Sequence, residues 1–356
     1  MERRRHFASL LLLLSLPLAL LLATGSVLLF VRGQPDGDVW DGEKWPPLVP
    51  TELTNDDGEE TNGLFVTRGN EDLQEGRLLV VLHGCGRSAA DWFVLPEEEA
   101  IVRTALAGPF AAVVAIDSHD LLWHCWRTDA DAAVVRRAVA ALMRTLCGTT
   151  TPCFRGGAVV LGTSSGGTMA TALLSSSDVV PNLVGVVALV SPGDAPSLRA
   201  FAAASANSSQ AQLPRVAFVH MAGDTVFATA EVINAHVAAL KGTARAFLCT
   251  GEIHVDRAFF ARRVLGMSYA ASATLWKGLV EAGLVDAVHA RATVPTTWDA
   301  AAEVPRLLER CAQRMPAFAW EQHADAVVEE LRVLQNVHET TREHAADALA
   351  WVLRLE

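Results

Sequence analysis

Beyond Arg3, Arg4 and Arg5 the chain has no dense basic run, and its formal net charge is −11 over 356 residues. A nucleic-acid surface needs Lys and Arg gathered on one face, so this balance argues against a nucleic-acid partner. There is no HExxH, and no glycine-rich loop ending in Gly-Lys-Ser or Gly-Lys-Thr. Helix-borne zinc chemistry and a Walker-type phosphate cradle are therefore not expected. Six cysteines are present, yet none forms a CxxC pair, which makes structural zinc improbable. No cofactor, no metal and no internal repeat is expected.

What is present begins with a long apolar run. Arg3, Arg4, Arg5 and His6 precede FASLLLLLSLPLALLLATGSVLLFV, about 25 residues without a charge. That is long enough to span a bilayer, and the basic cluster before it favours a cytoplasmic N-terminus. The reading is an uncleaved signal anchor over residues 1–33; cleavage near Ala23-Thr24-Gly25 is the alternative. Either route implies the secretory pathway: a single-pass membrane protein with a lumenal or extracellular domain, or a secreted one. Cysteine usage suits that compartment. Cys147 and Cys153 flank a short turn, GTTTP, and pairings of Cys85 with Cys125 and of Cys249 with Cys311 are also allowed. Asn207-Ser208-Ser209 is a glycosylation candidate.

Residues 34–60, rich in Asp, Glu, Gly and Pro, read as an acidic stem. Short apolar runs follow: GRLLVVLHG, AAVVAID, GGAVVLGT, VGVVALVS, RVAFVHMA and ARAFLCT. Such runs suit strands covered on both faces, and helix-like segments at 129–146, 167–176 and 227–241 alternate with them. The expectation is an α/β class with a doubly wound, mostly parallel sheet over 61–255. Residues 256–324 show no strand pattern and read as a helical cap insertion. Residues 325–356 then complete the core, ending in an amphipathic helix capped by Thr340 or Thr341.

GTSSGG, residues 162–167, lies between a strand-like run and a helix-like one. In that setting G-x-S-x-G marks a sharp turn that exposes a nucleophilic serine. Gly162 and Gly166 leave room around Ser164. The alternative apex, Ser165, would have the β-branched Thr163 beside it. The backbone N–H of Ser165 would face a developing oxyanion from the helix start. His83-Gly84-Cys85-Gly86 closes an earlier strand and offers Cys85 N–H as the second donor.

Together the two motifs resemble the α/β-hydrolase superfamily, in particular the polyhydroxybutyrate depolymerase and feruloyl esterase group. HGCGRSAADWF, LPEEEAIVRTAL, HCW at 124–126, GTSSGG and NVHETTREH resemble most closely uncharacterised α/β-hydrolase-like proteins of plants and algae. The resemblance runs over residues 64–356, more loosely through 256–330, and implies the fold and the chain order serine, acid, histidine. Asp224, at a strand end with Gly223 permitting the turn, is the expected acid, with Asp194 and Glu252 as alternatives. His338, before the terminal helix, is the base the resemblance favours; His254, directly after the last strand, is the alternative base. Trp92, Trp123 and Trp126 would shape a substrate pocket, and His124 reads as packing.

The expected activity is that of a serine hydrolase working through an acyl-enzyme on a small-molecule or acyl substrate, with a carboxylic ester as the expected class. A peptidase of the same fold and an inactive lumenal binding domain stand as alternatives.

Overall fold

The computed structural model describes residues 48–54, 60–68, 73–148, 153–176, 179–206 and 213–355. Its strands in chain order are β1 (Thr51–Thr54), β2 (Glu60–Thr67), β3 (Arg77–Leu82), β4 (Phe110–Ile116), β5 (Ala158–Thr163), β6 (Leu183–Leu189), β7 (Arg215–Met221), β8 (Ala244–Cys249), β9 (Val285–Asp286) and β10 (Arg291–Ala292). The helices are α1 (Pro96–Ala107), α2 (Ala132–Cys147), α3 (Ser165–Ala172), α4 (Ala195–Ser205), α5 (Ala230–Ala239), α6 (Phe259–Arg263), α7 (Tyr269–Glu281), α8 (Ala300–Arg314), α9 (Ala324–Gln335) and α10 (Ala345–Leu353).

The first eight strands form one sheet in the order β1-β2-β4-β3-β5-β6-β7-β8. Pairing is parallel from β4 through β8, while β1 and β2 join antiparallel at one edge. Strand alternation sorts the core. Leu79, Val81, Val113, Ala115, Val159 and Leu161 face one side, where α1 and α10 supply Ile101, Val102, Leu349 and Val352. Leu78, Val80, Leu82, Val114, Ile116 and Val160 face the other, against Val135, Val139 and Leu142 of α2 and Met169 of α3. Both faces are covered, so the runs carry no polar alternation. Each fully buried Leu or Val contributes ~1.5–3 kcal/mol of transfer free energy.

A second apolar cluster lies within the later chain: Phe259, Phe260, Leu275, Leu279, Leu307, Trp320, Val327, Leu331 and Leu334 pack together. This helical layer takes in α9 as well as the residues before 324. It also holds the short β9–β10 pair, whose two-residue strands are too brief to show a period. β1 lies inside the stretch read as stem, as an edge strand on β2.

Three expectations are corrected. The single-pass membrane reading fails among the described residues, where no helix is long and apolar enough to cross a membrane. The apolar run at 7–31 on which that reading rested lies outside the described residues, as do Asn207 and its sequon. Cys249 and Cys311 are both free and buried, their thiols directed at the carbonyls of Glu343 and Thr274, each 3.9 Å away. Neither Thr340 nor Thr341 caps the last helix: both are buried, Thr341 Oγ1 accepts the Glu343 N–H at 3.1 Å, and His344 stands at the cap in a left-handed conformation. Disulfides join Cys85 to Cys125 and Cys147 to Cys153.

Candidate active site

The turn from β5 into α3 is built by the absence of side chains. A Cβ on Gly162 would collide with the backbone of Gly166, and a Cβ on Gly166 would strike the carbonyls of Leu82 and His83. One on Gly167 would lie 2.5 Å from Ser191 Cβ. The crossing forces Ser164 to φ 51° and ψ −114°, a region that L-residues adopt only under external constraint. Ser165 is the first residue of α3, and its hydroxyl accepts the Trp126 N–H at 3.3 Å.

Ser164 Oγ lies 3.0 Å from His338 Nε2, and His338 Nδ1 lies 2.6 Å from Asp224 Oδ2. Three residues drawn from the ends of β5 and β7 and from the loop before α10 thus form one connected chain. Asp224 is 3% exposed and does double work. Its carboxylate also accepts the N–H groups of Val226, Phe227 and Ala228 at 3.2, 2.9 and 3.0 Å. Burial by itself would raise its pKa. The His338 hydrogen bond and the three backbone donors outweigh burial and hold the group below the ordinary carboxylate value. The helix that follows is capped by Thr229, whose Oγ1 accepts the Val232 N–H, so Asp224 is not its cap. Asp194 caps α4 through the Ser197 N–H.

His254 stands apart. It bridges Arg291, and its side chain is 68% exposed and 4.0 Å from Asp256.

His83 has a role the sequence did not reveal. It is buried, and its Nε2 accepts the Ser118 N–H at 3.1 Å, so the ring proton sits on Nδ1. Nδ1 then donates to the Gly84 carbonyl at 2.8 Å. Burial lowers the pKa of His83 and keeps the ring neutral. In a trans peptide the C=O and N–H point opposite ways, so holding the Gly84 carbonyl aims the Cys85 N–H to the other side. Gly84 lies against Ser164, since a Cβ on it would be 3.5 Å from Ser164 Cβ. The turn is fixed further by Gly86 N–H to the Trp123 carbonyl at 2.8 Å and by the Cys85–Cys125 disulfide.

The tryptophans divide. Trp92 is fully buried in the core with Phe93 and Ile101. Trp126 is 6% exposed and tilts against the His83 ring at 5.4 Å, which makes it a support for His83. Trp123 is 69% exposed, next to Leu121 and Leu122, on the loop tied to the Cys85 turn. Val226 and Phe227 are exposed as well, and the Phe227 ring lies 4.9 Å from that of His338.

Among the described residues one group could hold a metal: Cys249, Glu343 and His344 bring three donor atoms within 4.8 Å. Burial drives the Cys249 thiol well above its ordinary pKa, and His344 Nδ1 is 3.3 Å from Asp347.

No protein-family model matches the chain, and neither does any curated protein. Solved structures do resemble it. A feruloyl esterase module from Clostridium thermocellum, complexed with sinapinate, is 14% identical at a TM-score of 0.46 over 65% of this chain and 89% of that one. An esterase from Thermogutta terrifontis is 15% identical at 0.40 over 67% and 93%. An acylaminoacyl peptidase from Pyrococcus horikoshii is 12% identical at 0.37, over 58% of this chain and 38% of that one. At these levels they carry no argument about activity. The sheet is mostly parallel with helices on both faces, the α/β class expected from the sequence.

Proposed function

We propose that the protein is a serine hydrolase acting on carboxylic esters, with Ser164 as nucleophile, His338 as general base and Asp224 as the group that orients and stabilises the imidazole. The observation that carries the reading is the unbroken chain Asp224–His338–Ser164, at 2.6 and 3.0 Å. Nucleophile, base and orienting carboxylate within hydrogen-bond reach are what acyl transfer requires.

In the proposed reaction His338 Nε2 takes the Ser164 proton as Oγ bonds to the ester carbonyl carbon. The oxyanion is received by the N–H groups of Cys85 and Ser165. Ser165 is the first residue of α3, so its N–H has no partner within the helix. Collapse breaks the ester C–O bond, and His338 returns the proton to the departing alcohol. Water, deprotonated by the same histidine, then attacks the acyl-enzyme and frees the acid and Ser164. The exposed apolar side chains Leu121, Leu122 and Trp123 on the loop tied to the Cys85 turn, with Val226 and Phe227, the latter beside His338, suit an apolar acyl or aromatic group over a charged one. Two disulfides suit folding in an oxidising compartment.

Hydrolysis of p-nitrophenyl acetate and butyrate by the wild type tests this reading. Turnover should fall to the uncatalysed background in Ser164→Ala and by ~10³-fold or more in His338→Ala. Wild-type turnover retained in folded Ser164→Ala would remove it.

A further inference from the structure

Arg87 ends the Gly84–Cys85–Gly86 turn, and its own N–H donates to the Gly84 carbonyl at 3.3 Å, the same oxygen that His83 holds. Its guanidinium leaves that turn and reaches across to Glu339, with Nη2 3.3 Å from Oε1. Glu339 follows His338 directly in the chain. The two side chains are 24% and 14% exposed, so the pair is largely shielded from water. Glu339 Oε1 also accepts the Thr340 N–H at 3.2 Å, and Arg332 of α9 approaches Oε2 at 3.9 Å.

The surroundings show what Arg87 neutralises. Burial disfavours the guanidinium's charge, and Glu339, Glu98 of α1, Glu329 of α9 and Asp91 together outweigh it and raise its pKa. Glu98 and Glu329 are buried at 3% and 1% exposure, and burial raises the pKa of both carboxyls. Four residues beyond His338, Arg342 bonds Glu97 through its backbone N–H at 2.7 Å and its Nε at 2.6 Å. Arg263 bonds Glu97 at 2.9 Å and Glu330 at 2.6 Å. The far end of the His338 loop is therefore fastened to α1 and α9, and Arg87 fastens its near end to the turn that carries Cys85.

We infer that Arg87 is a positioning residue: its ion pair with Glu339 sets the base, His338, against the turn that presents the oxyanion donor, Cys85. This rests on the proposed ester-hydrolase reading of the site. A catalytic hydrogen bond displaced by ~1 Å costs up to ~10²-fold in rate, so a tie between the two halves of the site acts on turnover more than on stability.

The test uses the full chain, with Arg87→Met, Arg87→Lys, Glu339→Gln, the Arg87→Met/Glu339→Gln double variant and Ser164→Ala. Turnover of p-nitrophenyl acetate and hydrogen exchange over residues 336–344 are both measured. Arg87→Met is expected to lower kcat ~10–100-fold with KM within ~2-fold, and Arg87→Lys to recover part of the loss. Glu339→Gln should lose about as much, and the double variant no more than the larger single loss, because the two act as one unit. Exchange over 336–344 should quicken in Arg87→Met. Unchanged kcat in folded Arg87→Met, or fully additive losses, would overturn the inference. Activity retained in Ser164→Ala would remove the hydrolase reading instead. Exchange then decides alone: quickened exchange in Arg87→Met sustains the tie, and unchanged protection overturns it.

Discussion

The Gly223 N–H donates to the Asn336 carbonyl at 3.1 Å, and a Cβ on Gly223 would collide with that same oxygen. Gly223 immediately precedes Asp224, and Asn336 lies two residues before His338. The acid and the base are thus brought together by a backbone contact that only glycine permits.

Gly223→Ala should separate the two loops and lengthen the Asp224–His338 hydrogen bond. The expected result is a ~10–100-fold fall in ester kcat, with melting temperature reduced only modestly, because the contact sits at the sheet end and outside the core. Steady-state kinetics beside a thermal melt check both halves of this statement.

Asp224→Asn keeps the shape but loses the charge and the preference for the Nδ1–H tautomer of His338. Turnover should drop by ~10³-fold or more. Since Asn also accepts fewer backbone N–H groups, the 226–228 turn should exchange faster in deuterium.

His83→Phe conserves ring volume and deletes the hydrogen bonds to Gly84 and Ser118. If the Cys85 N–H is aimed through Gly84, kcat should fall ~10–100-fold while KM stays near the wild-type value. A parallel rise in KM would instead indicate a distorted binding surface.

The buried carboxyls Glu329 and Glu330 should draw stability down as pH rises from about 5 to 8, against His83, His220, His236 and His323, whose burial-lowered pKa values act the other way. Burial, with Glu98, Glu97 and Glu339 nearby, raises the Glu329 pKa well above the ordinary value. A carboxyl whose folded pKa is raised contributes stability that is complete below the unfolded pKa and is lost as pH climbs through the folded one. Glu330 behaves alike: burial, only partly offset by Arg263, raises it to about 7. Glu97 runs the other way, because Arg263 and Arg342 outweigh its burial and lower it to about 2. Its contribution is constant above pH 5 and vanishes only in strong acid. Glu329→Gln stays uncharged at every pH, so its melting temperature should fall less between pH 5 and 8 than that of the wild type. Melting curves at the two pH values check it.

The sheet was legible in the sequence because β3 through β7 are apolar runs buried on both faces, while β8, at the edge, leaves Arg245 and Leu248 exposed; glycine spacing around Ser164 carried its own steric reason. β1 was not legible: TELT is a short edge strand that buries Leu53 and leaves Thr51 and Glu52 exposed. Gly223 was read as a turn residue, whereas its role is the close approach of Asn336, a partner more than a hundred residues away. LPEEEAIVRTAL likewise gives no sign that three consecutive glutamates are buried, since Arg263 and Arg342 arrive from distant segments to pair with Glu97. His83 was legible as part of a glycine-flanked strand end, but its neutral tautomer depends on the Ser118 N–H, which no local pattern reveals.

The central claim is that Ser164 is an activated nucleophile. Labelling of the folded full chain with a fluorophosphonate, followed by peptide mass spectrometry, tests it most directly. The account predicts a single adduct on Ser164, abolished in Ser164→Ala, retained in Ser165→Ala and strongly slowed in His338→Ala. An unlabelled wild type, or an adduct on Ser165 with Ser164 untouched, would contradict it.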